Sequence, residues 1–593
     1  MRLFSVKVSV TLLSPFLIGG NDNRAWNLDA AQIRDQDGHP IIPHSHLRGM
    51  LRHAARGLAG LAGLFPITED GLPDTDDRSE KSARLILSDL VADGLTDNAG
   101  DVTRVSIDSD TGTAKDGHLL VAELVAPVGL PVLFVGHALL WANDDRQALA
   151  EVAALNKAAR LIAAMGRYKT VGWGEVQGIT LAPPVEEKPK ALQGGPIGAF
   201  DLTFGLDRAV LVDPEIKDSN TVAGRSVIPG AAIKGALAEH LRRRGHDPAQ
   251  GALSRVLAGM VIGHSVPGQK GPQQKWQPLV AVAPADIVYR TVVKGEKAAT
   301  LHKRWSETGK DEIHDFSTMW VFETDLKGEN PLAYDRCDRT IRTRVKIDED
   351  RQAAADGKLF TQTLVCPKLA GQPVVWRARI VPPEPSKPLT PEYARAWGII
   401  LNALFEGPAT LGKSNARMTD LGHQTPDPAP AVTVADREVR ITLRTAALMI
   451  RQCHLSTEGA GPALTYDAAI AEYWRVATAG TWTLRQDDHL GLGPRHDMFV
   501  RTSFRGGFTA RAHPFFGAVM VEPFVLTDPG SVFCLVRTDT PGGETKLMEL
   551  EQTGLPAMEW TATGAVPVPE SRWEECPFLP QNGYGAFSVE VLP

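Results

Sequence analysis

HPIIPHSHLRGMLRHAARG, from His39 to Gly57, and RSVIPGAAIKGALAEHLRRRG, from Arg225 to Gly245, are two versions of one pattern. Superposed, they place Pro43 on Pro229 and Gly49 on Gly235. Each reads as a strand, a Pro turn and a helix, because Pro is pre-set for the first helical position and lacks an N–H that this position leaves unused anyway. In the first copy Leu47, Leu51, Ala55 and Leu58 recur at helical spacing as an apolar face, with Arg48, Arg52 and Arg56 every four residues beside it. A pattern written twice in one chain predicts a repeated unit.

Working outward, the neighbouring segments repeat as well. Upstream, Phe4, Val6, Val8, Val10 and Leu12 alternate with Ser5, Lys7, Ser9 and Thr11. That is a half-buried strand, not the signal peptide that MRLFSVKVSVTLLSPFLIGG superficially suggests. The alternation returns at Phe200, Leu202, Phe204 and Leu206, and again at Val439, Ile441 and Leu443. Downstream, Arg104–Val125 aligns with Arg344–Val365, Asp108 falling on Asp348. The offset between copies grows from 186 to 240, so the second unit carries an insertion of about 54 residues, expected around 268–338. Each unit closes on a glycine-rich segment: Met165–Gly178 after a helical stretch at Asp145–Ala164, Leu411–Gly422 after one at Pro391–Phe405, and NGYGAFSVEV at the end of the chain. Strand, helix, strands, helix and glycine-rich strand is the order of a ferredoxin-like (RRM-like) α+β sandwich, here expected in tandem. The expected division is 1–183, a Pro/Gly/charge-rich linker at 184–199, 200–423 with the insertion, and a β-rich unit at 424–593.

A length of 593 residues accommodates two to four such domains, roughly one per 150 residues. With 43% apolar and 22% charged residues the chain is neither disordered nor fibrous, and 55 Gly and 42 Pro favour turns and loops over long helices. The net charge of −7 excludes a polycation but not nucleic-acid binding, which depends on where the basic residues gather. Five scattered Cys with no CxxC pair fit a reducing cytoplasm and neither a disulfide framework nor a Cys-rich zinc site. The most apolar stretch, Leu119–Ala142, is interrupted by Glu123, Pro127, Pro131 and His137, so no membrane segment is expected.

Gly166, Arg167, Tyr168, Lys169, Gly172, Trp173 and Gly174 place close backbone approach, two cations and two aromatics within nine positions. Such a loop can admit a phosphate backbone, neutralise it and stack on bases. Taken alone it reads equally well as a tight hairpin with solvated cations. Ser45 is the expected N-cap of the first helix, whose free N–H groups and Arg stripe could hold an anion. The alternative is a solvated Arg face, and Arg242–Arg244 could simply complement a helix dipole. His39, His44, His46 and His53 lack the carboxylates to complete a metal site, and no HExxH spacing occurs around His489 and His496. No structural zinc is expected. There is no P-loop, no dinucleotide fingerprint and no G-x-S-x-G elbow.

The segment Ile18–Pro43 sets the first unit apart. Gly19-Gly20 follows the first strand, then comes the isolated Asp29, then Arg34-Asp35-x-x-Gly38-x-Pro40, two Ile and Pro43, then the Leu-Arg-Gly helix. This arrangement resembles the RAMP superfamily of CRISPR-associated proteins, and more narrowly the backbone subunits of type III effector complexes. Ser82–Leu90, Arg104–Gly117 and Gly166–Gly174 match that family in order. Its usual Pro-Gly-Ser-Ser turn is Pro43-His44-Ser45-His46 here; Ile228–Gly235 in the second unit is closer to it but lacks a framed Asp. Phe200–Pro593 is similar to the subunit that caps the crRNA 5′ handle in the type III-D branch.

The resemblance implies a crRNA-binding subunit that meets crRNA, target RNA and other type III subunits (backbone, small and large signalling). Asp29 would be catalytic in target RNA cleavage with a divalent cation, Mg or Mn. RNA contacts would come from Gly19, Gly20, Arg34, His44, Ser45, His46, Arg48, Arg52, Arg56, Arg104 and the loop Gly166–Gly174. In the second half they would come from Lys234, Arg344, Lys413, Ser414, Asn415 and Arg417, with Arg501 and Arg505 as helpers. Two other readings stay open: a structural crRNA-binding subunit in which Asp29 is an ordinary loop carboxylate, and a crRNA-maturing endoribonuclease, for which only His44 and His46 offer acid/base groups.

Overall fold

The computed structural model describes the chain except residues 21–27, 56–57, 59–60, 62–63, 66–82, 98, 189–197, 214, 219, 272–275, 295–296, 305–320, 323–331, 348–353, 384–389, 427–431, 434, 451–465, 488–494, 506–508, 514–516, 521–522, 562–563, 570–575 and 593. In the first unit the elements run β1 (Arg2–Leu13), β2 (Gly19–Gly20), β3 (Ala31–Gln32), β4 (Ile41–Ile42), α1 (His44–Ala55), β5 (Leu85–Leu87), β6 (Leu90–Val91), β7 (Gly100–Ile107), β8 (Ala114–Leu124), β9 (Pro131–Ala142), α2 (Asp145–Ala159), β10 (Glu175–Leu181) and β11 (Val185–Glu186). The alternation in β1 does what its period predicts: Val6, Val8, Val10 and Leu12 are fully buried. They pack against Leu47 and Leu51 of α1 and Ala148, Val152 and Leu155 of α2. The main sheet runs β10-β1-β9-β6-β4, with β5 also on β9. The last strand thus lies beside the first, the first beside the third and the third beside the second, with both helices on one face.

That order recurs. In the second sheet Phe200–Leu206 lies between Met418–Gln424 and Val375–Val381, which pairs in turn with Val266–Lys270. The helices of that unit are α3 (Gly230–Arg243), α4 (Gly251–Gly259) and α5 (Pro391–Phe405), the last on the stretch expected from sequence. In the third sheet Glu438–Leu443 lies between Phe587–Val591 and Val532–Arg537, and Trp482–Leu484 follows. Its helices are α6 (Tyr466–Ala477) and α7 (Gly543–Thr553). The architecture is mixed α+β with antiparallel main sheets, each carrying its own apolar core. Among the described residues no helix is long and apolar enough to cross a membrane.

One expected boundary moves. Val185–Glu186, placed in the linker from the sequence, pairs with Phe4 and Ser5 of β1, and Glu186 takes the Arg2 guanidinium. The Pro-rich composition hid a strand that needs only two ladder positions and one ion pair. Most of the remaining linker, 189–197, lies outside the described residues.

Units one and two are clamped together. Trp141 at the end of β9 is 1% exposed, with the guanidiniums of Arg243 and Arg244 each 5.4 Å from its ring and His240 edge-on at 5.2 Å. The triplet that ends α3 is thus paired rather than solvated, Arg242 and Arg243 to Glu239 and Arg244 to Glu406.

Candidate nucleic-acid interface

β7 and β8 form a hairpin that pairs with no other named strand among the described residues. Val105, Ile107 and Leu119 on it are 45%, 59% and 63% exposed, an apolar face turned to solvent. Asp29 sits at its root. The Asp29 amide donates to the Val121 carbonyl at 2.9 Å, and the Val121 amide donates back to Asp29 Oδ2 at 2.7 Å. Asp29 is exposed, and its second carboxylate oxygen has no partner among the described residues.

The hairpin root is fixed from below by a residue the sequence reading passed over. Glu123 is 2% exposed; its carboxylate accepts from the Gln32 amide at 2.6 Å and pairs with Arg34 at 2.6 Å. Arg34 also donates to the carbonyls of Gly38 and Thr96. Arg34 thus has a structural partner: a carboxylate buried in an apolar strand requires a cation, and Arg34 is that cation. The signal was present, since Glu123 is the one charge within Leu119–Val125.

The glycine-rich loop folds back on the start of the chain. The Arg167 amide donates to the Leu17 carbonyl at 2.8 Å, and the Gly174 amide to that of Pro15 at 2.8 Å. A Cβ on Gly166 would stand 2.4 Å from the Leu17 oxygen, and one on Gly174 1.9 Å from the Met165 oxygen. Gly19 serves a different need, because the Arg167 guanidinium lies where its Cβ would be. Gly20 pairs with Ala31 in the short β2–β3 ladder, whose two strands flank Asp29 in the chain. Arg167, Lys169 and Gly172 are exposed. Trp173, however, is 7% exposed and packs with Leu17, Ala30 and Ala122, and Tyr168 is half-buried against it. Neither ring is the free stacking platform expected from sequence.

Helix α1 carries two further cations of the expected set, Arg48 and Arg52. Burial, and secondarily the charge of Lys169, lowers the pKa of His46. Burial and the neighbouring Arg52 likewise push Arg48 below its ordinary value. Two adjacent guanidiniums with no carboxylate partner among the described residues favour an anion between them. Arg104 on β7 lies over the Tyr168 ring at 4.9 Å. Arg56 lies outside the described residues.

The turn itself departs from expectation. The helix starts at His44, and Asp89, not Ser45, caps it, accepting from the His44 amide at 2.8 Å and Nδ1 at 2.7 Å. Arg342 of the second unit holds the same carboxylate. The anion position at this helix N-terminus is filled from within the protein by Asp89, with His44 as its contact. Ser45 and His46 are half-buried, and His46 Nε2 is buried with no hydrogen-bond partner among the described residues.

In the second half most of the expected ligands are consumed by structure. Lys234 Nζ donates to the carbonyls of Met260 at 2.9 Å and Ala258 at 3.3 Å, tying down the end of α4. Ser414 is 2% exposed beneath the Leu211 amide. Arg417 pairs with Glu187, Arg501 donates to the Ala283 carbonyl, and Arg505 lies 3.9 Å from Asp213. Lys413 is exposed, and Asn415 is half-buried with φ 51. The Arg344 backbone pairs with Phe360, but its side chain is outside the description.

The two hairpins superpose position by position, Val121 corresponding to Thr361. Thr221 pairs with Thr361, and the Thr361 amide donates to the Asn220 carbonyl, where in the first unit Val121 donates to the Asp29 carboxylate. The second unit thus repeats the geometry without the acid. Among the described residues the one cluster with metal-ligand types is Asp35, Asp37 and His39, and Lys368 already pairs with Asp37.

Strand order β-α-β-β-α-β around three antiparallel sheets, each with its own core, defines a mixed α+β protein. The chain belongs to the RAMP superfamily, whose family model matches residues 9–177 and 213–413. Among solved structures it is similar to a chain of the type III-B Cmr-beta complex bound to cognate target RNA, at 16% identity and a TM-score of 0.22, covering 31% of this chain and 61% of that one. It is also similar to a chain of the apo state of type III-B Cmr-beta, at 12% identity and a TM-score of 0.23, covering 30% and 97%. The chain thus spans 61% of the length of the first of these. A comparison with curated proteins gave no match.

Proposed function

We propose that this protein is a crRNA-binding subunit of a type III CRISPR effector complex in the cytoplasm, built of tandem ferredoxin-like modules. Its first unit grips the guide–target duplex and acts as a target-RNA endoribonuclease, and its second half caps the crRNA 5′ handle. The observation that carries this reading is the place of Asp29: an exposed carboxylate, anchored through one oxygen, at the root of a protruding hairpin. Arg48, Arg52, Arg167 and Lys169 supply positive charge to the guide backbone on the neighbouring face. Its partners would be crRNA, target RNA and the backbone, small and signalling subunits.

The apolar face of the hairpin serves as a wedge that unstacks one nucleotide and brings its 2′-oxygen in line with the adjacent phosphorus. The 2′-hydroxyl loses its proton to the outward oxygen of Asp29, the new P–O bond forms, and the bond to the 5′-oxygen breaks, that oxygen leaving as a hydroxyl with a proton from water. Alternatively that same outward oxygen would hold a divalent ion, Mg or Mn, with Asp29 as its anchor within the protein. Such an ion would stabilise the charge developing on the phosphate. Handle contacts rest on Lys413 and Asn415, and Thr221 in place of the acid makes the second unit a holder rather than a cutter.

The test is the assembled complex with end-labelled target RNA. Wild type should give fragments, and Asp29→Ala should lose them while keeping crRNA and target bound. A variant that cuts like wild type returns Asp29 to an ordinary loop carboxylate.

A further inference from the structure

The aromatic pair that the sequence offered as a stacking platform is turned inward, toward the segment carrying Asp29. Tyr168 and Trp173 meet edge to face with ring centroids 5.3 Å apart, and Arg104 of the hairpin covers the Tyr168 ring at 4.9 Å. Trp173 packs on Ala30 and Ala122. Ala30 follows Asp29, and Ala122 follows Val121, the residue whose amide holds the Asp29 carboxylate. The two rings therefore fill the space between the glycine-rich loop and the hydrogen-bonded ring that fixes Asp29.

The backbone at Tyr168 points the same way. Its φ of 59° is uncommon for a residue other than Gly and persists only where the surroundings over-determine it. The amides of Val171 and Trp173 both donate to its carbonyl. Its sequence neighbours Arg167 and Lys169 are the exposed cations of the loop. A force on either cation acts directly on the residue whose ring braces the hairpin.

We propose that Tyr168 is a positioning residue for Asp29, transmitting the loop's hold on an RNA backbone to the root of the hairpin. The proposal rests on the cleavage reading above, but it is read out separately from cleavage. The full chain, assembled with crRNA, is compared as wild type, Tyr168→Ala, Tyr168→Phe and Arg104→Gln by hydrogen–deuterium exchange and by single-turnover cleavage. In Tyr168→Ala the Val121 amide should exchange about tenfold faster while the amides of β1 and β9 keep their protection. Cleavage per assembled complex should slow by a similar factor. Tyr168→Phe keeps the ring and should restore both. Arg104→Gln removes the outer cover alone and should move both in the same direction by less, which preserves the test if Tyr168→Ala fails to assemble. Unchanged Val121 exchange in Tyr168→Ala, or in Arg104→Gln where that variant stands in for it, overturns the proposal. So does a Tyr168→Phe chain as impaired as Tyr168→Ala. Wild type that shows no cleavage, with Val121 still responding to the ring, sinks the cleavage reading and supports the positioning role.

Discussion

Asp89 shows how much one carboxylate can hold. It caps α1 through the His44 amide, accepts from His44 Nδ1 and takes Arg342 from the second unit. Burial opposes its charge, yet Arg342 and the His44 hydrogen bonds keep its carboxyl well below the ordinary carboxylate range. A folded-state value below the unfolded one means that Asp89 contributes stability above its unfolded pKa of about 4 and loses it as pH falls through the folded value. Asp89→Asn should therefore cost stability at pH 7 and flatten the acid-side slope below about pH 4. Urea unfolding across that range measures both effects. Arg167 and Lys169 lie at the opposite extreme, exposed and without a carboxylate partner among the described residues. Replacing both with Gln should weaken crRNA retention evenly across guide sequences and lower the salt slope by about one to two. An unchanged slope would make the loop a solvated hairpin.

On the proposed reading the glycine-rich loop depends on its backbone geometry as well as on its two cations. Gly174→Ala should open the loop, because the new methyl would strike the Met165 carbonyl; Gly172 has open space and only a positive φ of 85° to satisfy. The first change should abolish crRNA retention, whereas the second should cost about 1 kcal/mol of stability and leave retention nearly intact. Filter binding and thermal melts separate the two. This element also marks where sequence reading succeeds and where it stops. The repeated order of strands and helices was legible because period and Pro/Gly punctuation are local properties. Asp29 was singled out differently, by the resemblance of the segment Ile18–Pro43 to a known family rather than by any local period. The fate of Trp173 was not, because the residues that bury it, Leu17, Ala30 and Ala122, come from three distant segments. Nor was the use of Arg34, Lys234 and Arg417, since a cation's partner is chosen by tertiary packing. A positive residue in a promising motif is free for a ligand only when no buried carboxylate or open helix end claims it first.

At the scale of the molecule the first two units are held by contacts far apart in sequence: Trp141 beneath Arg243 and Arg244, Asp89 with Arg342, and the N-terminal ammonium on the Arg243 carbonyl at 2.7 Å. Trp141→Ala removes the largest side chain from that seam. It should split a shared unfolding transition into two, since units that no longer stabilise one another melt separately. Calorimetry of the full chain would show one transition in wild type; two transitions already present there would make the seam weaker than its packing suggests. On the proposed reading the seam also sets a distance. Any handle base gripped by the second unit and the bond facing Asp29 are separated by rigid packing within one polypeptide. The chain is then a ruler with its zero mark built in: lengthening the tether around 189–197 leaves the first cut in place, and loosening the seam blurs it across neighbouring bonds.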